Sequence, residues 1–293
     1  MKTILNYLLN KNKQKKTLLC ILSVFPFTLV QAQGIDSTEI HRYINAAHSI
    51  GVGTSNLLDT YLSPLEYTGT DFRWEYERVH RTKNWQNKWI QQQLYQAQLS
   101  ITENPSSTAQ GFYTMFSGTY GLLYEAWKPT KNLLLFVGSR ARGQIGGMYN
   151  NRNSNNPGQF YATATLQLSA LLVYKFIIKE TELIARYQCS LPFAGMTFSP
   201  RYGESYYEIF GVKKDYNRLY FISLHNAPSM FHSLSLDFPI GKFNLRANYL
   251  LDIEQSKINH IKRHAYHHSF MIGFVKNYFL FPKKKAYHSF PLY

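Results

Sequence analysis

Asp71-Phe72-Arg73-Trp74-Glu75-Tyr76-Glu77 decides the fold. Phe72, Trp74 and Tyr76 alternate with Asp71, Arg73, Glu75 and Glu77. Successive side chains of a strand point to opposite faces, so one face here is aromatic and the other charged. A strand half-buried in a soluble core also alternates. Charges filling one whole face behind three large aromatics fit a wall with lipid outside and a polar lumen inside better.

The same period returns along the chain. Leu133, Leu135, Val137 and Ala141 oppose Gly138, Arg140, Arg142 and Gln144. Ala162 to Leu172 oppose Thr163, Thr165, Gln167 and Ser169, and Leu183 to Leu191 oppose Ile184, Arg186, Gln188 and Ser190. Phe243 to Leu251 oppose Asn244, Arg246, Asn248 and Asp252. Weaker alternation covers 40–56, 88–102, 111–123, 230–240 and 265–281. A tilted strand of about 10 residues crosses a bilayer, whereas soluble strands centre on about 5–6. The expected fold is all-β: a transmembrane up-and-down antiparallel barrel of about ten strands, or twelve if Tyr206–Phe210 and Leu219–His225 add a pair.

The connections alternate too. YLSPLEYTG (61–69), ENPSSTAQG (103–111), YNNRNSNNPGQ (149–159), 194–229 and QSKINHIKRH (255–264) read as long outer loops. RTKNWQN (81–87), KPTKN (128–132), 178–181 and 240–241 read as turns, the later ones short. Long outer loops and short periplasmic turns place both ends of the barrel in the periplasm. Pro64 and Gly69 make the first loop a structured cap.

Residues 1–32 are set aside as a cleaved signal peptide. Five lysines without an acid precede an apolar run at 17–30, and Val30-Gln31-Ala32 makes a small-residue cleavage site. That run is too short to span, and Pro26 interrupts it. Cys20 follows Leu18-Leu19 rather than a small residue and belongs to the apolar run, not to a lipid anchor. Cys189 is then the remaining cysteine, so no intrachain disulfide forms. The barrel domain spans 33–281. A basic tail, 282–293, begins at Pro282, which cannot continue a ladder.

After position 32 the chain keeps 27 basic residues against 17 acidic ones, a net charge of +10. For an exported chain this points to outer-membrane lipid and lipopolysaccharide phosphates, not nucleic acid. Tyr 23 and Phe 20 alongside a mean hydropathy of −0.30 suit a wall that shows lipid every second residue.

Two segments carry a family resemblance: Gly51-Val52-Gly53-Thr54 continuing through Asp59 to Gly69, and Phe198-Ser199-Pro200-Arg201-Tyr202-Gly203-Glu204-Ser205-Tyr206-Tyr207-Glu208-Ile209-Phe210. They resemble an uncharacterised family, a domain of unknown function, of small outer-membrane barrels of the Bacteroidota. The resemblance implies a barrel and an outer-membrane location. It implies no activity.

The candidate sites follow from the faces. Arg73, Glu75, Arg140, Arg142, Arg186, Arg246 and Asp252 are expected to point inward and pair across the lumen. A ten-stranded barrel is little wider than one filled by its own side chains. Tyr202, Tyr206, Tyr207, Ile209 and Phe210 lie in the fourth outer loop and are too apolar for a solvated segment. They either plug the mouth or offer a docking surface to another envelope protein. His260, His264, His267 and His268 lack a helix that would make their spacing a metal site, and His267-x-Ser269 lacks a third residue to orient the histidine. Neither cofactor nor metal is expected. The expected function is a non-enzymatic structural or accessory barrel of the outer membrane; the alternative is a small pore or a lipid-modifying enzyme.

Overall fold

Alternation builds the wall, because each residue that faces out forces its two neighbours inward. The computed structural model describes residues 43–82, 88–154, 156–211, 218–241 and 243–279. The segments expected to be a signal peptide (1–32) and a basic tail (282–293) lie outside the described residues.

Eleven strands run in chain order: β1 Tyr43–Asp59, β2 Ser63–Arg81, β3 Trp89–Glu103, β4 Gln110–Trp127, β5 Leu133–Asn150, β6 Gly158–Ile178, β7 Thr181–Phe198, β8 Leu219–Ile222, β9 Ser229–Ile240, β10 Phe243–Ile258 and β11 Ile261–Phe279. A one-turn helix, α1 (Tyr206–Phe210), precedes β8. Neighbours pair antiparallel, and β1 pairs with β11 from Tyr43↔Phe279 to Asp59↔Arg263. The sheet therefore closes. β8 and β9 both pair with β7, one above the other, so they share one place in the wall. The barrel has ten strand positions, and the four-residue β8 does not make it twelve.

The strands are longer than the alternation alone suggested, and this corrects the loops. Residues 63–69 are strand, in register with β1 at Asn56↔Thr68 and Leu57↔Tyr67. The turn before them is only 60–62. Pro64 is tolerated because it sits at the second residue of the strand, where the ladder is irregular. QSKINHIKRH is likewise a hairpin turning on Asn259 and His260, both with positive φ. Residues 194–198 belong to β7. Most odd-numbered connections are thus as short as the even ones, except the segment after β7.

Outward residues form an apolar belt. Phe72 is 44% exposed, Trp74 40% and Leu168 55%, and Ile50, Leu99, Phe116, Leu234 and Phe270 are exposed with them. Leu135 and Leu245 also face out, half-covered by neighbours. The interior is layered. Near the even-numbered turns Val79, Ile90, Leu123, Leu134, Phe136, Leu171, Val173 and Ile184 form an apolar cluster. At the opposite mouth Leu57, Leu62, Tyr67, Tyr113, Met148 and Tyr161 form another. Between them lie the charges.

Candidate functional site: the lumen and its cap

Glu77 of β2 organises the middle of the lumen. Arg186 of β7 grips it with two hydrogen bonds, Nη1 to Oε2 at 2.7 Å and Nη2 to Oε1 at 2.8 Å. Arg246 of β10 reaches the same carboxylate and also forks onto Asp237 of β9, at 2.6 Å from Nε and 2.8 Å from Nη2. Gln92 of β3 donates to Glu77 at 2.6 Å and exchanges amide hydrogen bonds with Gln188 at 2.9 Å. Glu75, one pleat nearer the cap, accepts from Gln96 at 2.9 Å and Asn248 at 3.2 Å. Bidentate, charge-assisted bonds of this kind are the strong ones.

A second group lies nearer the mouth. Arg142 meets Asp252 at 3.1 Å and Glu254 at 3.7 Å, and Arg73 lies 3.6 Å from Asp252. Asp71 accepts from Ser100 at 2.8 Å, Gln98 at 2.7 Å and Ser269 at 2.8 Å. Arg263 joins Glu254 at 3.4 Å and stands 4.0 Å over the Tyr161 ring. Arg140 differs: it has no carboxylate at salt-bridge distance among the described residues. It donates to Ser190 Oγ at 2.9 Å and lies 5.6 Å from the Phe231 ring centre. Arg140 is 2% exposed and Arg246 1%, so these charges are buried inside the barrel, most of them in ion pairs and Arg140 without one.

The segment after β7 crosses the mouth. Tyr61, in the β1–β2 turn, donates its hydroxyl to the Glu204 carbonyl at 2.6 Å. The Tyr206 hydroxyl donates to Gln159 at 3.0 Å and accepts from the Phe160 N–H at 2.6 Å, at the start of β6. Asn259, in the β10–β11 turn, donates to the Pro200 carbonyl at 3.2 Å. One segment is thereby tied to three different hairpins. Inside it, Ser205 and Glu208 cap α1 reciprocally, and Arg218 binds Glu204 at 2.5 Å. Burial pushes the Tyr61 and Tyr206 hydroxyls up to about 12. The hydrogen bond from Arg218 holds the Glu204 carboxyl below the usual carboxylate range.

The structure brings Arg73, Glu75, Arg142, Arg186, Arg246 and Asp252 into two linked groups and leaves Arg140 against an aromatic ring and a hydroxyl. The five loop residues are divided. Tyr206 faces inward and is used by the cap, Ile209 is half-buried, and Tyr202 and Tyr207 stand 67% and 78% exposed. The side chain of Phe210 lies outside the described residues. His267 and Ser269 both face the lumen and are buried, but they do not meet: His267 Nδ1 shares a hydrogen bond with Gln98 at 2.7 Å, and Ser269 donates to Asp71 at 2.8 Å. Among the described residues no three His, Cys, Asp or Glu side chains converge as a metal site. Gln188 and Asn248 stand on the inward faces expected of them, but neither they nor Asp237 and Gln92 are among the expected members of the charge network. Their parity in strands was legible, and their partners were not.

A family model described as "Protein of unknown function (DUF3316)" matches residues 17–285. The chain belongs to that family. No curated protein matches it. Among solved structures it is similar to the transport unit of the autotransporter AIDA-I from Escherichia coli, with 8% identity and a TM-score of 0.37, over 84% of this chain and 94% of that one. The translocator domain of the autotransporter NalP from Neisseria meningitidis gives 9% identity and 0.34, over 90% and 95%. Ail, the attachment invasion locus protein of Yersinia pestis, gives 13% and 0.26, over 79% and 98%. At these scores the likeness decides nothing about role.

Proposed function

We propose that this protein is a sealed, non-enzymatic outer-membrane barrel that serves as an accessory or docking subunit in an envelope complex. The reading includes export by a cleaved signal peptide, lipopolysaccharide around the outer rim, and an origin in the Bacteroidota. The filled lumen is the observation that carries it. An apolar cluster, a largely ion-paired charge layer and a tied-down cap lie in series along one axis, and two voids among their described residues measure about 10 Å³ and 50 Å³. A barrel so filled has its outer surface left with which to act. The exposed apolar belt supports the membrane setting, because water would not tolerate aromatic residues around the circumference. The pore alternative meets charged side chains that water does not reach. The enzyme alternative meets a buried His267 and Ser269 that do not contact each other.

Among the described residues of the cap Tyr202 and Tyr207 are exposed aromatic side chains, and tyrosine is favoured at interface anchors. Native-level purification from detergent-solubilised membranes tests the docking role. The double variant Tyr202→Ser, Tyr207→Ser should keep the heat-modifiable migration of a folded barrel and lose its co-purifying partner. A variant that keeps every partner, or a wild type that has none, sinks the docking role.

A further inference from the structure

Among the described residues the wall is interrupted at a seam beside β7. β7 pairs with β9 as far as Ser190↔Phe231 and resumes with β8 at Gly195↔Ile222. Residues 191–194 therefore have no β8 or β9 partner in register. Opposite them the chain leaves the wall as a turn, 223–228. That turn is closed by the Ala227 N–H donating to the Ser223 carbonyl at 2.8 Å, and it is stapled to β10 by the Lys257 N–H donating to the Asn226 carbonyl at 2.8 Å. The turn belongs to the β10 side, so the opening lies between it and β7. Pro192 stands in that opening without an N–H and cannot help rebuild the ladder. On its other side β7 shifts register against β6 at Leu166/Gln167.

Behind the seam lies the cavity of about 50 Å³. Pro192, Ile222 and Ala227 line it at the wall, and Thr165, Gln167 and Ser229 present hydroxyl and amide groups to it. Arg142 and Arg263 also line it together with the Asp252 and Glu254 carboxylates they pair with, and the buried Nε of Arg142 has no hydrogen-bond partner. At about 10–15 Å³ per water the space holds only a few waters, or a group the size of ethanolamine or glycerol. The outer surface around the seam is apolar: Leu166, Phe193, Phe221 and Leu224 are all exposed there. A polar recess behind an apolar rim matches a molecule with one end of each kind.

We propose that this seam is a lateral binding site for a glycerophospholipid. The terminal ethanolamine or glycerol of its head occupies the recess, its ammonium or hydroxyl donating to the Asp252 and Glu254 carboxylates and a head-group oxygen accepting from Arg142, and its acyl chain lies over Leu166, Phe193 and Leu224. The site rests on the membrane setting proposed above, but not on the docking role. Recovery of the protein in the membrane fraction checks the setting separately.

Delipidated, folded protein in detergent would be mixed with palmitoyl-lysophosphatidylethanolamine and weighed by native mass spectrometry. Wild type should retain a single equivalent. Ala227→Trp, which fills the recess at the wall, and Gln167→Leu, which removes a polar lining group at similar volume, should each retain about tenfold less at the same lipid concentration. Heat-modifiable migration reports whether each variant has folded, and if Ala227→Trp has not, Gln167→Leu decides. A wild type that retains no lipid, because the recess holds water alone, overturns the proposal. So does a folded variant that retains as much as wild type.

Discussion

Glu77 shows what a single residue holds in this lumen. Two arginines converge on it from strands far apart in sequence, and removing it leaves both without that carboxylate inside a dry interior. Breaking a buried pair by deleting one partner costs about 3–5 kcal/mol, because the orphaned charge remains. Glu77→Ala should therefore lower unfolding stability in urea by about that amount, while Glu66→Ala, at the exposed rim, should change it little. Equal effects would show that the lumen is wetter than its burial implies. That Glu77 faces inward was legible from its place beside Tyr76. That it meets Arg186 and Arg246 was not, because those contacts cross the barrel and depend on register and strand tilt. Asp237 was harder still: it lies in a strand whose alternation is interrupted by Pro239, so its inward face stood out less.

At the level of elements, two hairpins turn on non-glycine residues with positive φ, of which only Asn259 is at ease there. Lys179 and Glu180 have φ of 46° and 69°, and Asn259 and His260 have 53° and 65°. Two-residue turns with positive φ favour Asn-Gly, and a left-handed conformation costs other residues roughly 1–2 kcal/mol each. Replacing Lys179-Glu180 by Asn-Gly should raise the urea midpoint without changing the slope; an unchanged or lower midpoint would refute the turn geometry. Neither hairpin has a glycine at its turn, so 255–264 has the sequence of a ten-residue loop although it folds as a tight turn. The cap makes a different prediction. Arg218 depresses the Glu204 carboxyl, so the stabilisation it gives is complete above the ordinary carboxylate value and is lost as pH falls through the lower value of the folded state. The ring resonances of Tyr61, whose hydroxyl bonds the Glu204 carbonyl, should hold steady from neutral pH to about 5 and shift below the ordinary carboxylate range. In Glu204→Gln that acid transition should be missing. The aromatic composition of 198–210 was enough to say that this segment packs, but not that Tyr206 turns in while Tyr207 turns out.

For the whole molecule, the layers act in series. Deleting residues 201–216 would remove the cap, yet the Glu77 layer and the Val79–Phe136 cluster would still fill the bore. Planar bilayers containing the deleted protein should remain non-conducting, and steady ion currents would mean that the cap alone seals it. Architecture at this scale was the most legible part, since ten alternating stretches specify a closed sheet whatever their exact lengths. Closure has one more consequence. β1 and β11 lie opposite each other over 17 residue pairs, alternate ones exchanging hydrogen bonds, and come from segments more than two hundred positions apart. Until β11 has been delivered, β1 presents one unmet edge and the growing sheet another, and both are ready to pair with a different copy. Assembly is therefore a race between finishing a circle and joining a neighbour's arc. A chain stopped before Ile261 should lose that race entirely, leaving an otherwise intact nine-stranded sheet to polymerise in the compartment where it was meant to fold.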